Sequence, residues 1–335
     1  MQLDDFVKVL LLNVIFTAPS TIIPMTLQTA LRDTGRFIFL YGSTSPRADA
    51  SGDRVDRAAS RLAERTAGLD MDGLVVYDVQ DESERTSQTR PFPFLPTLEA
   101  RTYSRLLQSV TGRTVICYKS VAQMPESEWP SWLDAACDDY GIRFLSLVGK
   151  VASGHRADGG LPLARAIREA SRHPCGFTLG GVVIPERHSP VRSESERLIA
   201  KAEAGCEYFI SQAVYAPDAA ISLIRDYARD CRARGIAPKR LVLTFTPCGS
   251  ARTMEFMKWL GIAIPPETER LILSSDEPLA ESVRVCASAL SRILDAAGGE
   301  GVPLGVNIES VSIRKEEIEA SVDLYHALKS VVERS

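Results

Sequence analysis

Asp78, Asp81 and Glu82 crowd into five positions at the end of the apolar run GLVVYDV, with Gln80 among them and Arg85 just after. Carboxylates packed together beside a low-dielectric pocket hold their protons more tightly, because both neighbouring charge and lost solvation disfavour the ionised form. Such groups act as general acids or bases. Asp78, Asp81 and Glu82 are therefore candidate catalytic residues, and Gln80 a candidate substrate contact. The plainer alternative is an exposed acidic loop with local ion pairs. A second group follows other apolar runs. Lys119 and Lys150 sit just past TVICY and RFLSLV, where two cations would attract a carboxylate or phosphate. Glu186, a further candidate catalytic residue, and His188, a candidate substrate contact, follow FTLGGVVI; an isolated histidine is more often a structural hydrogen-bonding group than a catalyst. Ser211 and Gln212 end CEYFI, with Tyr215 beyond them, and Asn307 and Glu309 end PLGVNI.

The negative findings narrow the chemistry. The chain has no Walker A sequence, GxGxxG fingerprint, HExxH or GxSxG elbow. Its His, Cys and carboxylate residues show no metal spacing, so no metal is expected. Gly180-Gly181 lies inside an apolar run, where it favours close packing over phosphate binding.

These candidates need a scaffold that gathers them. Eight short β-rich runs begin at Arg36, Gly73, Thr114, Arg143, Phe177, Cys206, Arg240 and Pro303. Helical patterns separate them and one closes the chain over Lys315 to Val332. The strands are continuous apolar runs, the pattern of strands buried on both faces. Eight such units predict an α/β fold, a (β/α)8 TIM barrel, over residues 35–335. A doubly wound open sheet is the rival. In a barrel the active site forms from loops at the C-terminal strand ends, and every candidate above occupies such a place. Residues 1–34 read as an N-terminal apolar helical extension. Its run FVKVLLLNVIF is too short to span a bilayer and follows Asp4-Asp5, not a basic region. It is expected to pack on the body or on a second copy, which leaves a homo-oligomer open, and no membrane contact is expected.

Composition sets outer limits. The 335 residues are 45% hydrophobic and 24% charged, ordinary for a soluble globular protein. A formal net charge of −4 argues against nucleic acid as a partner. Seven scattered cysteines without a CxxC pair suggest reduced thiols and a cytoplasmic location.

Three segments carry a resemblance. GGVVIPERH, LIAKAEAGCEYFISQAVY and FTPCGSARTMEFMKWLGIAIP are similar to the strand-five, strand-six and strand-seven segments of the methylenetetrahydrofolate reductase family. The resemblance is strong over residues 177–265 and looser back to residue 36. It implies a (β/α)8 barrel that reduces a folate-bound methylene group, with FAD reduced by NAD(P)H or with hydride taken directly from NAD(P)H. Gln212 then contacts the pterin or the nicotinamide. Glu194 and Lys201 look like flavin-contacting positions, and Glu186 and His188 match the strand-five motif. The chain also departs from the family. Its first strand offers Leu40 or Tyr41 where the family has a general-acid glutamate, Lys150 replaces a strand-four aspartate, and Val115 to Lys119 holds no histidine. The expectation is thus an atypical reductase acting on a folate-like small molecule, with a carboxylate of the Asp78–Glu82 loop as replacement acid. The alternatives are a non-reductive folate or pterin enzyme, and a ligand-binding homologue without catalysis.

Overall fold

A computed structural model of the chain describes residues 26–82, 86–149 and 160–335. Eight parallel strands close into a barrel in sequence order. They are β1 (Ile38–Thr44), β2 (Gly73–Tyr77), β3 (Val115–Ser120), β4 (Phe144–Val148), β5 (Thr178–Val183), β6 (Cys206–Ala213), β7 (Arg240–Phe245) and β8 (Leu304–Ile308). The ring is completed by β8 against β1, with Tyr41 beside Ile308. The open-sheet alternative is excluded.

Helices cover the outside. A short α1 (Leu27–Arg32) precedes the barrel, and α2 (Gly52–Thr66), α3 (Ala100–Thr111), α4 (Trp129–Asp138), α5 (Leu163–Ser171) and α6 (Glu194–Ala204) follow the first five strands. Next come α7 (Pro217–Arg234) after β6, then α8 (Ala251–Trp259), α9 (Pro266–Leu273) and α10 (Pro278–Ala297) between β7 and β8, and α11 (Lys315–Val332) at the end. The α9 helix is absent from the sequence reading. Pro265-Pro266 reads as a stop, yet proline at the first helical position is favourable because its missing N–H has no partner there anyway.

Side-chain alternation separates two cores. Outward-facing strand residues such as Val76, Cys117, Leu147, Phe209 and Leu243 join the helices in one large cluster. Inward-facing residues make a second, with Ile38, Leu40, Val75, Ile116, Tyr118, Tyr208, Ile210 and Val242 filling the barrel. Gly180 belongs to this interior. A Cβ there would lie 2.2 Å from the Tyr208 ring, so the glycine exists to admit that ring.

The bottom of the barrel is plugged by α1, whose Leu27 and Leu31 join the inner cluster. Arg240 fastens the plug. Its buried guanidinium donates to the carbonyls of Leu31 at 3.1 Å and Arg36 at 2.7 Å, and also to those of Ala30, Asp33 and Leu304. Among the described residues the lower end is thus closed, and the cavity lies at the C-terminal strand ends. Residues 1–25, including FVKVLLLNVIF, lie outside the described residues.

One expectation is corrected. Cys137 at the end of α4 and Cys175 before β5 form a disulfide, with Cα atoms 6.1 Å apart. Their separation of 38 positions hides the pairing in the sequence, because the barrel closure brings the two segments together. The other five cysteines are buried and free. The case for a reducing compartment accordingly loses part of its premise. Among the described residues no helix is long and apolar enough to cross a membrane.

Candidate functional site

A cavity of about 1160 Å3 occupies the barrel mouth. Its floor is built where β8, β1 and β2 meet. Tyr41 pairs with Ile308 across the β1–β8 seam, so the next positions, Gly42 and Glu309, are side by side. A Cβ on Gly42 would stand 2.9 Å from the Tyr77 ring and 3.2 Å from the Glu309 Cβ. Glycine at 42 therefore leaves room for Tyr77 and Glu309 to approach each other over β1. The Asn307 amide donates to the Tyr77 hydroxyl at 2.7 Å and to Thr244 Oγ1 at 3.3 Å. The Tyr77 hydroxyl in turn hydrogen-bonds the Glu309 carboxyl. Burial pushes that carboxyl up to about 7, against the opposing pull of the Tyr77 hydrogen bond. Near neutral pH Glu309 thus exists in both protonated and ionised forms and can exchange a proton at the cavity floor.

The opposite wall comes from β6 and α6. Gln212 points into the cavity, and its amide donates to the Leu260 carbonyl at 2.7 Å. Its amide oxygen makes no hydrogen bond among the described residues, and that is the half of the amide that accepts from a pterin-type N–H edge. Glu194 is buried and pairs with Arg197 at 3.0 Å. Lys201 donates to the Val182 carbonyl at 2.5 Å, and burial lowers its pKa. Both Glu194 and Lys201 line the cavity.

A third wall is the long exit from β2. It folds back so that Leu98 N–H meets the Pro46 carbonyl and Ala48 N–H the Pro96 carbonyl, both at 2.8 Å. This places Arg90 against the rings of Trp259 at 4.9 Å and of Phe94 and Phe256 at 5.4 Å. Burial lowers the Arg90 pKa. On α2, Arg61 and Arg65 extend the wall above Tyr103, whose phenol burial raises to about 12 against the pull of Arg65.

Among the described residues, the cavity wall carries eight basic side chains, Arg47, Arg61, Arg65, Arg90, Arg187, Arg197, Lys201 and Arg314. It carries four acidic ones, Asp78, Glu82, Glu194 and Glu309. The whole chain is net −4, so the positive charge is concentrated at the mouth. Such focusing draws in anionic ligands.

The remaining candidates take other places. Asp78 lines the cavity, but its carboxylate accepts from the Ser120 N–H and the Gln80 amide, both at 2.8 Å, and faces Lys119 at 4.0 Å. It ties β2 to β3. Gln80 and Glu82 line the cavity, whereas Asp81 is exposed and outside its wall. Lys119 points outward onto the Trp132 ring, 5.2 Å away, because it shares the face of Cys117 and not that of the inward Tyr118. His188 accepts from the Glu194 N–H at 3.3 Å and donates to Asp226 at 2.8 Å, which anchors the start of α6. Tyr215 is fully buried and donates to the Thr246 carbonyl at 2.5 Å, so it belongs to the scaffold. Glu186 lies in a 3-10 turn and is not part of the cavity wall; both carboxyl oxygens are buried without partners and burial raises it to about 7. Lys150 and Arg85 lie outside the described residues. No group of three or more metal-ligating side chains is found among the described residues. Glu309 stood among the strand-tip residues without a role. Its signal was the seam between β8 and β1, which a linear reading does not display.

No protein-family model matches the chain, and no curated protein matches it. Among solved structures, an uncharacterised protein from Clostridium thermocellum that binds two copies of 5-methyl-5,6,7,8-tetrahydrofolic acid is 32% identical, with a TM-score of 0.76. The match covers 91% of this chain and 99% of that one. A dihydropteroate synthase from Xanthomonas albilineans is 13% identical with a TM-score of 0.47, over 91% of this chain and 97% of that one. The identity and coverage of the first match make this chain a member of the Clostridium thermocellum protein's family.

Proposed function

We propose that this chain, as a member of that family, binds a reduced folate in its barrel mouth and reduces the one-carbon unit the folate carries, with NAD(P)H as hydride source. The observation that carries the reading is Glu309: a carboxyl near pKa 7, hydrogen-bonded to Tyr77, standing over the glycine of β1. The resemblance to methylenetetrahydrofolate reductases calls for an acid on strand one, and the adjacency of Glu309 to Gly42 of strand one supports Glu309 in that role. Glu309 replaces the Asp78–Glu82 loop as the acid of choice, since Asp78 is committed to Ser120 and Gln80.

In this reading Gln212 pairs with the pterin edge, and Glu309 protonates the nitrogen that leaves the methylene carbon. The C–N bond breaks toward that nitrogen, the carbon becomes an iminium on the other nitrogen, and hydride from NAD(P)H converts it to methyl. Tyr77 and Asn307 hold the Glu309 carboxyl in place.

The residues do not fit a flavin seat. The strand-three position where the family has a flavin-binding histidine falls in a stretch where Tyr118 fills the barrel interior and Lys119 lies in the helix layer. Lys201 is committed to the Val182 carbonyl and Glu194 to Arg197. No step is assigned to flavin.

A second reading, folate binding without turnover, is supported by the relative, which binds two copies of a reduced folate. Pockets for drug-sized ligands measure about 300–1,000 Å3, and the cavity here, about 1160 Å3, lies just above that range. Calorimetry with 5-methyltetrahydrofolate, paired with NADH and NADPH oxidation in the presence of methylenetetrahydrofolate, separates the readings. Binding with turnover supports the reductase, and binding alone supports the carrier. Gln212→Ala is expected to weaken folate binding by about 1–3 kcal/mol, and undiminished affinity in that variant overturns the site assignment. Absence of any folate binding overturns both readings.

A further inference from the structure

We infer that the exit of β2 over residues 88–94 is a strap that orients the Gln212 amide through the end of α8, which makes Trp259 and Arg90 positioning residues for ligand recognition. The inference rests on the folate reading only for the identity of the ligand. Gln212 is held by the bond from its amide nitrogen to the Leu260 carbonyl at 2.7 Å. That bond decides which half of the amide meets a ligand. A carbonyl only accepts, so it takes the NH2 group and leaves the C=O for a donor in the cavity. If the carbonyl moves, the amide is free to turn over and present a donor instead. Leu260 is the C-cap of α8, so its carbonyl is one of those that a helix end leaves without an intrahelical partner.

The Leu260 carbonyl goes where the last turn of α8 goes. That helix has 9 residues, too few to hold its shape without packing. Its first turn is fixed from α11. The buried Glu317 carboxylate accepts from the Gly249 N–H at 2.9 Å and from the Thr253 hydroxyl at 3.1 Å. Its cavity flank is covered by the strap. Trp259 Nε1 donates to the Gln88 carbonyl at 3.1 Å, and Arg252 donates to the Pro91 carbonyl at 2.9 Å. The Phe92 and Phe256 rings meet edge to face at 5.3 Å. Arg90 lies between the two segments, over Phe94 of the strap and over Phe256 and Trp259 of the helix. Its Nε and Nη1 are buried without a hydrogen-bond partner, so the ring faces hold it. The residue that follows the clamped tryptophan carries the carbonyl that Gln212 uses.

The test uses the full chain with 15N-labelled glutamine side chains, the Gln212 signal being assigned by its loss in Gln212→Ala. Arg90→Leu should move that signal. So should Trp259→Phe, which keeps a ring and removes the donor to Gln88. Arg101→Leu is the control. Arg101 stacks in the same way on Trp132 and Tyr140, at 5.0 and 4.9 Å, between α3 and α4, and its loss should leave the Gln212 signal in place. Arg90→Leu should bind 5-methyltetrahydrofolate about two- to tenfold more weakly than wild type, the range of one net hydrogen bond. In the Gln212→Ala background the same substitution should cost nothing further, because a positioning residue acts only through the group it positions. A Gln212 signal unmoved in both clamp variants, or moved equally in Arg101→Leu, overturns the inference. An Arg90 effect that persists in full without Gln212 also overturns it, since Arg90 then touches the ligand directly. Wild type that binds no 5-methyltetrahydrofolate overturns the folate reading, while the ligand-free signal still decides the link between strap and amide.

Discussion

Replacing Glu309 by glutamine should make the protein more stable at alkaline pH and remove the acid from the site. The sign follows from the direction of the shift. The carboxyl titrates at 4.5 in an unperturbed state and at about 7 in the fold, because burial disfavours the ion. Below pH 4.5 both states are protonated and the residue contributes no pH-dependent term. Between pH 4.5 and 7 the unfolded chain ionises while the folded one keeps its proton, so stability falls as pH rises. Above 7 the penalty is complete, at roughly 3 kcal/mol. An unfolding entropy of about 2.1 cal/mol/K per residue gives about 0.7 kcal/mol/K for this chain, so the penalty corresponds to about 4 °C in Tm. Thermal denaturation of wild type and Glu309→Gln from pH 4 to 8.5 measures it. The two curves should coincide near pH 4 and separate by about 4 °C at pH 8, with the variant more stable. In the same pH series, wild-type turnover of methylenetetrahydrofolate should fall tenfold per pH unit above about 7, a limb absent from the residual activity of the variant. A Tm difference that does not change with pH refutes the reasoning, because it means that Glu309 ionises like an exposed carboxylate. Glu186 is an internal control: it is raised to about 7 by burial too, so Glu186→Gln should show a Tm gap of the same sign and leave the alkaline limb of turnover intact.

Two further substitutions probe the scaffold. Arg240→Leu should cost about 3–5 kcal/mol in urea denaturation, since it leaves the carbonyls of Ala30, Leu31, Asp33, Arg36 and Leu304 without their shared donor and loosens the α1 plug; a change under 1 kcal/mol would show that the plug holds by apolar packing alone. Gly42→Ala should push Tyr77 off Glu309 at a stability cost of about 1–3 kcal/mol, and the alkaline limb of turnover should move upward because the hydrogen bond that lowers the Glu309 pKa is lost.

The barrel was legible in the chain because its strands are continuous apolar runs, and two elements, β7 and α11, begin and end where the pattern does. Strand tips were less legible. The run RFIFLY ends at Tyr41, but β1 continues through Gly42 to Thr44, since pairing with β2 and β8 and not hydrophobicity sets its end. The site was legible only in part. Gln212 projects into the cavity as its place at the tip of β6 suggests. Tyr215 and Lys119 do not, because the residue's parity along a strand or the turn that follows it decides which way it faces, and a one-position error turns a side chain from the cavity to the helix layer. His188 shows a different limit: its partners Asp226 and the Glu194 N–H lie 38 and 6 positions away, and nothing local announces that both its nitrogens are committed.

The proposed role of Glu309 shows how a closed sheet changes what a sequence departure means. Read along the chain, Leu40 and Tyr41 leave strand one without a carboxylate, and the nearest substitutes are the acids after strand two. In the closed barrel β1 has two neighbours, and the second comes from the far end of the chain, more than 260 positions away. A group lost from one strand can be restored from either neighbour if the receiving strand gives up its side chain at that level. Gly42 satisfies that condition, because any Cβ there would meet Tyr77 and Glu309. In the proposed reading, the absence on strand one and the glycine on the same strand are a single feature. A carboxyl brought in this way must also carry a usable proton, and the buried position beside Tyr77 supplies that by raising its pKa to about 7. Asp78, the nearest rival, meets the positional condition, but its carboxylate is taken up by the Ser120 N–H and the Gln80 amide and faces Lys119 at 4.0 Å, so it is tied into the β2–β3 junction.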